Sequence, residues 1–435
     1  MHIWNETVEC QDRDALSQLQ LERLQATLNR AYKNVPFYHN CLGEACMDPS
    51  SVRSLDDLSR LPLTSREDLG KNYPYGLFAV PLRDIVRIHT ATGTGSNPTV
   101  SGYTNNDLAM WTEMVARFLT AAGVSADDII QVCFDPGLAN WARDFKGGAE
   151  AIQASVIPMT PLEIPKQVMV MNDYKTSALV TTPSYARQLV REIARMGINP
   201  NSLSLHRALL LGESLSDKSR DSLEAALPVQ IQTAYGLSEV PGPGIAYECR
   251  ERQGLHVNED HFIAEIIDPE TTEPVAAGET GELVLTTLTA KAFPLIRFRT
   301  GDQASLSTEG CSCNRSFARL HPIRGRVDQL VVIRGIKLHP QLIHTFMSRL
   351  CQGEIPAYVG FVHRLEDLEL LEIWLRLDEA CFSDEIKVLE HLVLTVRREV
   401  EQSLGISARV RLVEPATMED YSDRLGQIID ERSNG

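Results

Sequence analysis

The sequence predicts an α/β protein in two domains: a large N-terminal domain with parallel sheets and a small barrel-like subdomain, then a small ferredoxin-like α+β domain. Three observations carry this expectation. Short apolar runs at 129–134, 155–159, 178–182, 208–211 and 229–233 alternate with helical segments, and apolar runs separated by helices indicate a buried, largely parallel sheet. Runs at 262–267, 282–288 and 295–299 instead follow one another with turn signals between them, the pattern of an antiparallel or barrel-like subdomain. The tail then reads strand, helix, strand, strand, helix, strand, which is the ferredoxin-like order.

Taken in order, residues 14–35 place Leu16, Leu19, Leu24 and Leu28 at helical spacing, so an amphipathic helix is expected there. Pro36 ends it, because proline lacks the amide that a helix interior needs. In the tail, 330–334 reads as a strand and 341–350 as a helix preceded by Pro340. Segments 358–362 and 372–377 are strand-like, and 408–413 closes with another strand. Ile386, Leu389, Val393, Val396, Val400 and Leu404 mark a long helix between them, with Ser383 as its cap. A boundary near 326–328 divides an N-terminal domain, 1–326, from a small mobile domain, 327–435.

Composition narrows the class of function. The chain has 435 residues with 43% hydrophobic and 23% charged side chains, ordinary for a globular protein of more than one domain. A formal net charge of −16 argues against nucleic-acid binding, which wants a basic face. It leaves anionic ligands open, because backbone amides bind phosphate inside acidic proteins. No run of about 18 apolar residues occurs, and the first ten residues lack a secretory pattern. A cytoplasmic chain with no membrane partner is expected. Nine cysteines then read as thiols or metal ligands. Oligomeric state stays open, a homodimer included.

The chemistry concentrates in a few segments. Residues 89–99, His-Thr-Ala-Thr-Gly-Thr-Gly-Ser-Asn-Pro-Thr, are rich in hydroxyls and glycine. Such a loop lets amides approach a phosphate closely. It is not a Walker A loop, having no Gly-Lys-Ser/Thr, and by itself reads equally as a polar surface loop. Four more segments follow: Leu-Gly-Glu-Ser-Leu-Ser at 211–216, Ala-Tyr-Gly-Leu-Ser-Glu at 234–239, Arg-Phe-Arg-Thr-Gly-Asp at 297–302, and Gly-Arg-Val-Asp at 325–328 leading to Arg334-Gly335. With Tyr-Gly-Leu-Ser-Glu-Val-Pro-Gly-Pro-Gly at 235–244 and Glu-Asp-His-Phe at 259–262, the chain resembles the phenylacetate–coenzyme A ligases, a family of adenylate-forming enzymes. The resemblance covers nearly the whole chain, including 21–24, 32–38 and 72–77.

This resemblance implies a two-step reaction. ATP activates a small, aryl or similar carboxylic acid to an acyl-adenylate, and coenzyme A then displaces AMP. It assigns Thr92, Gly93, Thr94, Gly95 and Ser96 to the phosphates. Glu213, Ala234, Tyr235 and Gly236 would surround the adenine. Glu239 would hold Mg2+, a hard cation suited to carboxylate oxygen. Asp302 would take the ribose hydroxyls, with Arg326 near ribose and phosphate. Asp328 would be a hinge, and Gly335 would lie in the loop serving thiol transfer. Each residue has a plain structural alternative: a core aromatic for Tyr235, a solvated charge for Glu239, a turn cap for Asp302.

Cys249, His256, Cys311 and Cys313 offer three thiols and an imidazole, a set that suits tetrahedral zinc. Reduced buried cysteines are the competing reading. The resemblance implies a structural Zn2+ here, pinning the antiparallel subdomain.

Two departures from the family pattern matter. Its phosphate loop usually reads Ser-Ser-Gly-Thr-Thr-Gly-Lys-Pro, whereas 91–98 here place Asn97 at the lysine and move the second glycine back one place. Its C-terminal catalytic lysine is also absent, and counting back from Asp430 and Arg432 puts Arg424 at that position. Arginine keeps the charge as a broad planar fork. Two alternatives therefore stay beside the ligase reading: an adenylate-forming amide synthetase, and a catalytically weakened homologue that binds nucleotide or acyl-adenylate. Phe134, Trp141 and Pro241 could line the acid pocket by position, and core packing explains them equally well.

Overall fold

The computed structural model describes residues 3–91, 97–134, 139–158, 162–240, 242–328, 330–340, 342–344, 347, 357–365, 368–376, 386–404 and 406–432. The chain divides into two compact units, the first holding residues up to Ala91 together with Thr99–Val327, and the second holding the residues from Asp328 onward together with the 92–98 segment.

In the first unit, the helix Arg13–Asn34 starts where Asp12 accepts a hydrogen bond from the Ala15 amide, satisfying one of the first-turn donors. Leu16, Leu24 and Leu28 are its fully buried stripe. Val35 leaves the helical region, and Pro36 is the first residue of the next helix, Pro36–Glu44. The fixed φ of proline suits that position as well as it unsuits a helix interior.

The centre is a nine-stranded sheet. Its order runs Leu306–Ser307, Arg319–Leu320, Leu255–Val257, Ala246–Glu248, Gln230–Tyr235, Arg207–Leu211, Ala178–Thr181, Ile129–Val132 and Ser155–Ile157. The last five strands are mutually parallel and the first four antiparallel. Ala178–Thr181 is buried at every position, which explains its unalternating apolar run. Helices Ala139–Ala151, Ile164–Asp173, Pro183–Arg195 and Asp217–Ala226 connect the parallel strands.

A second sheet is antiparallel, in the order Phe262–Ile267, Gly281–Thr287, Phe298–Ala304 and Gly325–Arg326. Its third strand begins later than the apolar run at 295–299 suggests. Arg297 sits at φ +44°, outside the extended region, and its buried guanidinium donates to the Ser59 and Leu61 carbonyls. Leu295 and Ile296 therefore fill core without joining the ladder.

Arg117 ties the two sheets to the helix Asn105–Ala121. Its guanidinium, 1% exposed, grips Asp260 at 2.7 and 3.0 Å and the Asn258 side chain at 2.8 Å. Burial alone would raise the Asp260 carboxyl, but His261, Arg117 and Arg23 hold it below the usual carboxylate range. The first helix docks on the same loop, with Gln20 donating to the Glu259 carbonyl at 2.9 Å.

The second unit holds a four-stranded sheet in the order Ala408–Val413, Leu368–Arg376, Tyr358–Leu365 and Ile428–Asp430. The helix Ile386–Leu404 contributes Val396 and Val400 to its core. Two members of the expected strand order change. Val331–Ile333 pairs with Ile336–Leu338 in a separate two-stranded ladder, because positive φ at Arg334 and Gly335 reverses the chain there. The sheet takes Ile428–Asp430 instead, parallel to Tyr358–Leu365. Of the helix expected at 341–350, only 342–344 and 347 lie among the described residues, and Ser383 lies outside them. No helix among the described residues is long and apolar enough to cross a membrane.

Removing one member of a buried ion pair strands the other charge, at a cost of about 3–5 kcal/mol. Arg117→Met should lower unfolding stability by that amount in urea titrations, whereas Arg60→Ala, at a largely exposed pair, should change it by less than about 1 kcal/mol.

Candidate active site and candidate metal centre

Ligands of open parallel sheets bind beyond the carboxyl ends of the strands, and the motif residues gather there. Arg207–Leu211 runs into Gly212 and Glu213. The Glu213 carboxylate accepts the Ser184 amide at 2.9 Å and its hydroxyl at 2.7 Å. Ser184 lies in the first turn of Pro183–Arg195, so the carboxylate sits at the positive end of that helix. Gln230–Tyr235 ends in half-buried Ala234 and buried Tyr235, followed by half-buried Gly236.

Tyr235 joins the two sheets. Its hydroxyl donates to Asp302 Oδ2 at 2.6 Å. Burial, and then the Asp302 carboxylate, push that hydroxyl well above its ordinary pKa, so it remains a donor. Asp302 lies opposite Arg326 in the ladder of Phe298–Ala304 with Gly325–Arg326, and the two form an ion pair. Gly301, at φ +77°, sits at the register shift in this strand. A bulge with glycine in the left-handed region turns neighbouring groups toward one side.

Arg66, absent from the sequence-based assignment, completes the set. Thr64 forms a bridge with Phe298, which lays the start of Arg66–Lys71 beside the 298–304 strand. Arg66 donates to the Thr300 carbonyl at 2.9 Å and forms an ion pair with Glu239. Arg326 donates to the same carbonyl at 2.8 Å. Tyr235, Asp302, Arg326, Arg66 and Glu239 thus form one connected network. A signal for Arg66 existed in the sequence. Ser65 and Asp68 form a capping box, which puts a cation in a first turn, where the helix dipole disfavours it. Such a local conflict marks a site held for another purpose.

The remaining predicted residues are described within their own units. Phe134 is buried, its ring centroid 6.4 Å from that of Phe145. Arg424 is exposed, 3.6 Å from Asp423. Asp328 accepts the Leu330 amide at 3.2 Å. Gly335 has φ +80°. Thr92, Gly93, Thr94, Gly95, Ser96, Pro241 and the side chain of Trp141 lie outside the described residues.

Cys249, His256, Cys311 and Cys313 come together, all buried, with donor atoms within 4.8 Å of one another. They lie at the antiparallel end of the nine-stranded sheet, beside Ala246–Glu248, Leu255–Val257 and Arg319–Leu320. This corrects the expectation that they pin the separate antiparallel sheet. The Cys249 and Cys311 sulfurs are 3.9 Å apart, and Cys313 Sγ is 3.3 Å from His256 Nε2. A tetrahedral site with metal–sulfur bonds of about 2.3 Å has edges of roughly 3.7 Å, so the donor set fits. His256 Nδ1 lies 3.4 Å from the Phe317 carbonyl, which orients the ring and leaves Nε2 facing the thiols. The Cys249 contact, together with His256, holds the Cys313 thiol well below its ordinary value, while the same contact and burial raise Cys249.

Comparison with known proteins gives consistent results. The AMP-binding enzyme family matches residues 150–289, and the AMP-binding enzyme C-terminal domain matches residues 335–432. A phenylacetate-coenzyme A ligase of Thermus thermophilus is 38% identical over 95% of this chain and 96% of its own. One from Escherichia coli is 35% identical over 98% and 97%. Among solved structures, 2-hydroxyisobutyryl-CoA ligase in complex with its acyl-adenylate and CoA is 25% identical with a TM-score of 0.90, covering 98% of this chain and 92% of that one. An amide bond synthetase from Marinactinospora thermotolerans, 14% identical with a TM-score of 0.55 over 76% and 66%, shares the fold alone.

Proposed function

The chain belongs to the phenylacetate–coenzyme A ligase family, and from that premise we propose that it activates a small aryl carboxylic acid with ATP and transfers the acyl group to coenzyme A. In the first half, an oxygen of the acid bonds to the α-phosphorus and the bond to pyrophosphate breaks. In the second, the thiol sulfur bonds to the acyl carbon and AMP leaves. The single observation that carries the site assignment is the network of Tyr235, Asp302, Arg326, Arg66 and Glu239 around the Thr300 carbonyl.

Each role follows from what these groups have left to offer. A carboxylate has about four acceptor sites. Asp302 uses its two oxygens on Tyr235 and Arg326 and retains capacity for ribose hydroxyls. Glu213, Ala234 and Gly236 border the place of the base. Arg326 and Arg66 supply positive charge for the phosphates, as does the loop of Thr92, Gly93, Thr94, Gly95 and Ser96. Preorganised charge of this kind lowers the barrier where negative charge develops. Mg2+ would be held by Glu239 and would neutralise phosphate charge when bound. Arg424 takes the place of the family's lysine, and the unit from Asp328 onward turns about Asp328 to bring the Arg334–Gly335 turn into use.

Cys249, His256, Cys311 and Cys313 are assigned to one structural Zn2+. Four protein donors leave no open position for catalysis.

Three measurements test these assignments. A panel of aryl and short aliphatic acids should give acid-dependent pyrophosphate release, with a thioester as the product once coenzyme A is added. Product masses showing an amide, or no release with any acid, would overturn the proposal. Asp302→Ala should weaken ATP binding by about 1.5–3 kcal/mol, tenfold or more, as a charged hydrogen-bond partner is lost; calorimetry showing equal affinity would sink the ribose assignment. Elemental analysis should find about one zinc per chain, and Cys311→Ser should lower thermal stability more than ATP affinity. A folded preparation without metal would restore the reading of reduced buried thiols.

A further inference from the structure

The second unit holds an acid–base pair, buried Glu369 with half-buried Arg432, that the reaction as assigned does not use. Its chain reverses at Arg334 and Gly335, between Val331–Ile333 and Ile336–Leu338. Ile333 pairs with Ile336, so the turn has two residues, at φ +50° and +80°. Glycine accepts the second position at no steric cost, but arginine in the left-handed region does not. A turn of this kind persists only where its surroundings hold it.

The backbone of the turn is met by Glu369 and Arg432, while the Arg334 side chain donates to the Ser407 hydroxyl at 3.2 Å. Glu369 Oε2 accepts the Arg334 backbone amide at 2.8 Å. Glu369 Oε1 lies 2.8 Å from Arg432 Nη1, and that nitrogen donates to the Val332 carbonyl at 2.6 Å. The far side of the Arg432 guanidinium is fixed by Asp430, at 2.5 and 2.8 Å. Side-chain exposure is 5% for Glu369 and 18% for Arg432, so solvent screens the pair little. Arg364 stands 3.8 Å from the same carboxylate and contacts no part of the turn by any hydrogen bond among the described residues. One carboxylate and one guanidinium therefore grip the first residue of the turn and the strand leading into it.

We propose that Glu369 and Arg432 are positioning residues for the second half-reaction: they hold the Arg334–Gly335 turn in the conformation that serves thiol attack and take no part in adenylation. This rests on the reading of that turn as the thiol-transfer loop. It also gives the last strand among the described residues, Ile428–Asp430, a purpose beyond closing the sheet, since it delivers Asp430 and Arg432 to the clamp.

The test separates the two half-reactions, using the acid with the highest pyrophosphate release in the panel above. Adenylation is followed as single-turnover pyrophosphate release without coenzyme A. Transfer is followed as thioester formation when coenzyme A is added to enzyme-bound acyl-adenylate. Glu369→Gln should slow transfer about tenfold and leave adenylation within about twofold, the loss of one charged hydrogen-bond acceptor. Arg432→Lys should impair transfer less than Arg432→Gln. Gly335→Ile serves as the control on the turn itself. If Gly335→Ile slows transfer and Glu369→Gln does not, the clamp is overturned and the loop reading stands. If both half-reactions slow equally in Glu369→Gln, the pair is merely structural and the proposal fails. If Gly335→Ile leaves transfer unchanged, the loop reading falls and the clamp with it.

Discussion

The Thr300 carbonyl accepts hydrogen bonds from two arginines, Arg66 at 2.9 Å and Arg326 at 2.8 Å, and the charges of the site are arranged around that shared acceptor. Two guanidinium groups on one oxygen repel each other unless each is matched. Glu239 matches Arg66 and Asp302 matches Arg326, so opposite signs alternate along the network. Gly301, at positive φ within the register shift of this strand, lies between Thr300, whose carbonyl takes both arginines, and Asp302, whose carboxylate takes Tyr235 and Arg326.

Behind the site, buried charge sets the placement of whole elements. Arg315 and Glu9 form a fully buried pair at 2.6 Å, with Tyr247 donating to the same carboxylate at 2.9 Å. Arg117 does the equivalent for the 258–260 turn. Such pairs add little net stability compared with apolar packing, since desolvation offsets most of the attraction. Their effect is to make a wrong arrangement costly, because any other placement leaves a buried charge alone. The entry into Phe262–Ile267, and through it the antiparallel sheet, is located in this way. Cys249, His256, Cys311 and Cys313 gather at the antiparallel end of the large sheet, where the 311–313 loop meets the ends of Ala246–Glu248 and Leu255–Val257.

Much of the large unit was readable because its signals are local and repeated. The parallel strands Ala178–Thr181 and Arg207–Leu211 are apolar at nearly every position, and the spacing of the parallel strands by helices leaves few topologies. The strand at 298–304 was misplaced because apolar Leu295 and Ile296 look like strand residues, while the interruption at Arg297 depends on carbonyls from residues 59 and 61. Ile428–Asp430 escaped because three residues carry no periodicity. It exists as a strand through its parallel pairing with Tyr358–Leu365, where each residue meets a partner 68 positions away in the chain.

By itself, then, the sequence determined the element types wherever a periodicity ran long enough, the order of the motif segments, and the kinds of donor available: three thiols, an imidazole, and acids and arginines at motif positions. Tertiary structure decided which of them meet. Arg66 and Glu239 are separated by 173 positions, and their pairing follows from Thr64 bridging Phe298, a contact with no local signature. The same holds for Glu369, whose carboxylate reaches an amide 35 positions before it. The physical reason is that side-chain chemistry is written residue by residue, whereas the proximity that gives it effect comes from backbone pairing and burial over long separations, where no short window of sequence carries the information.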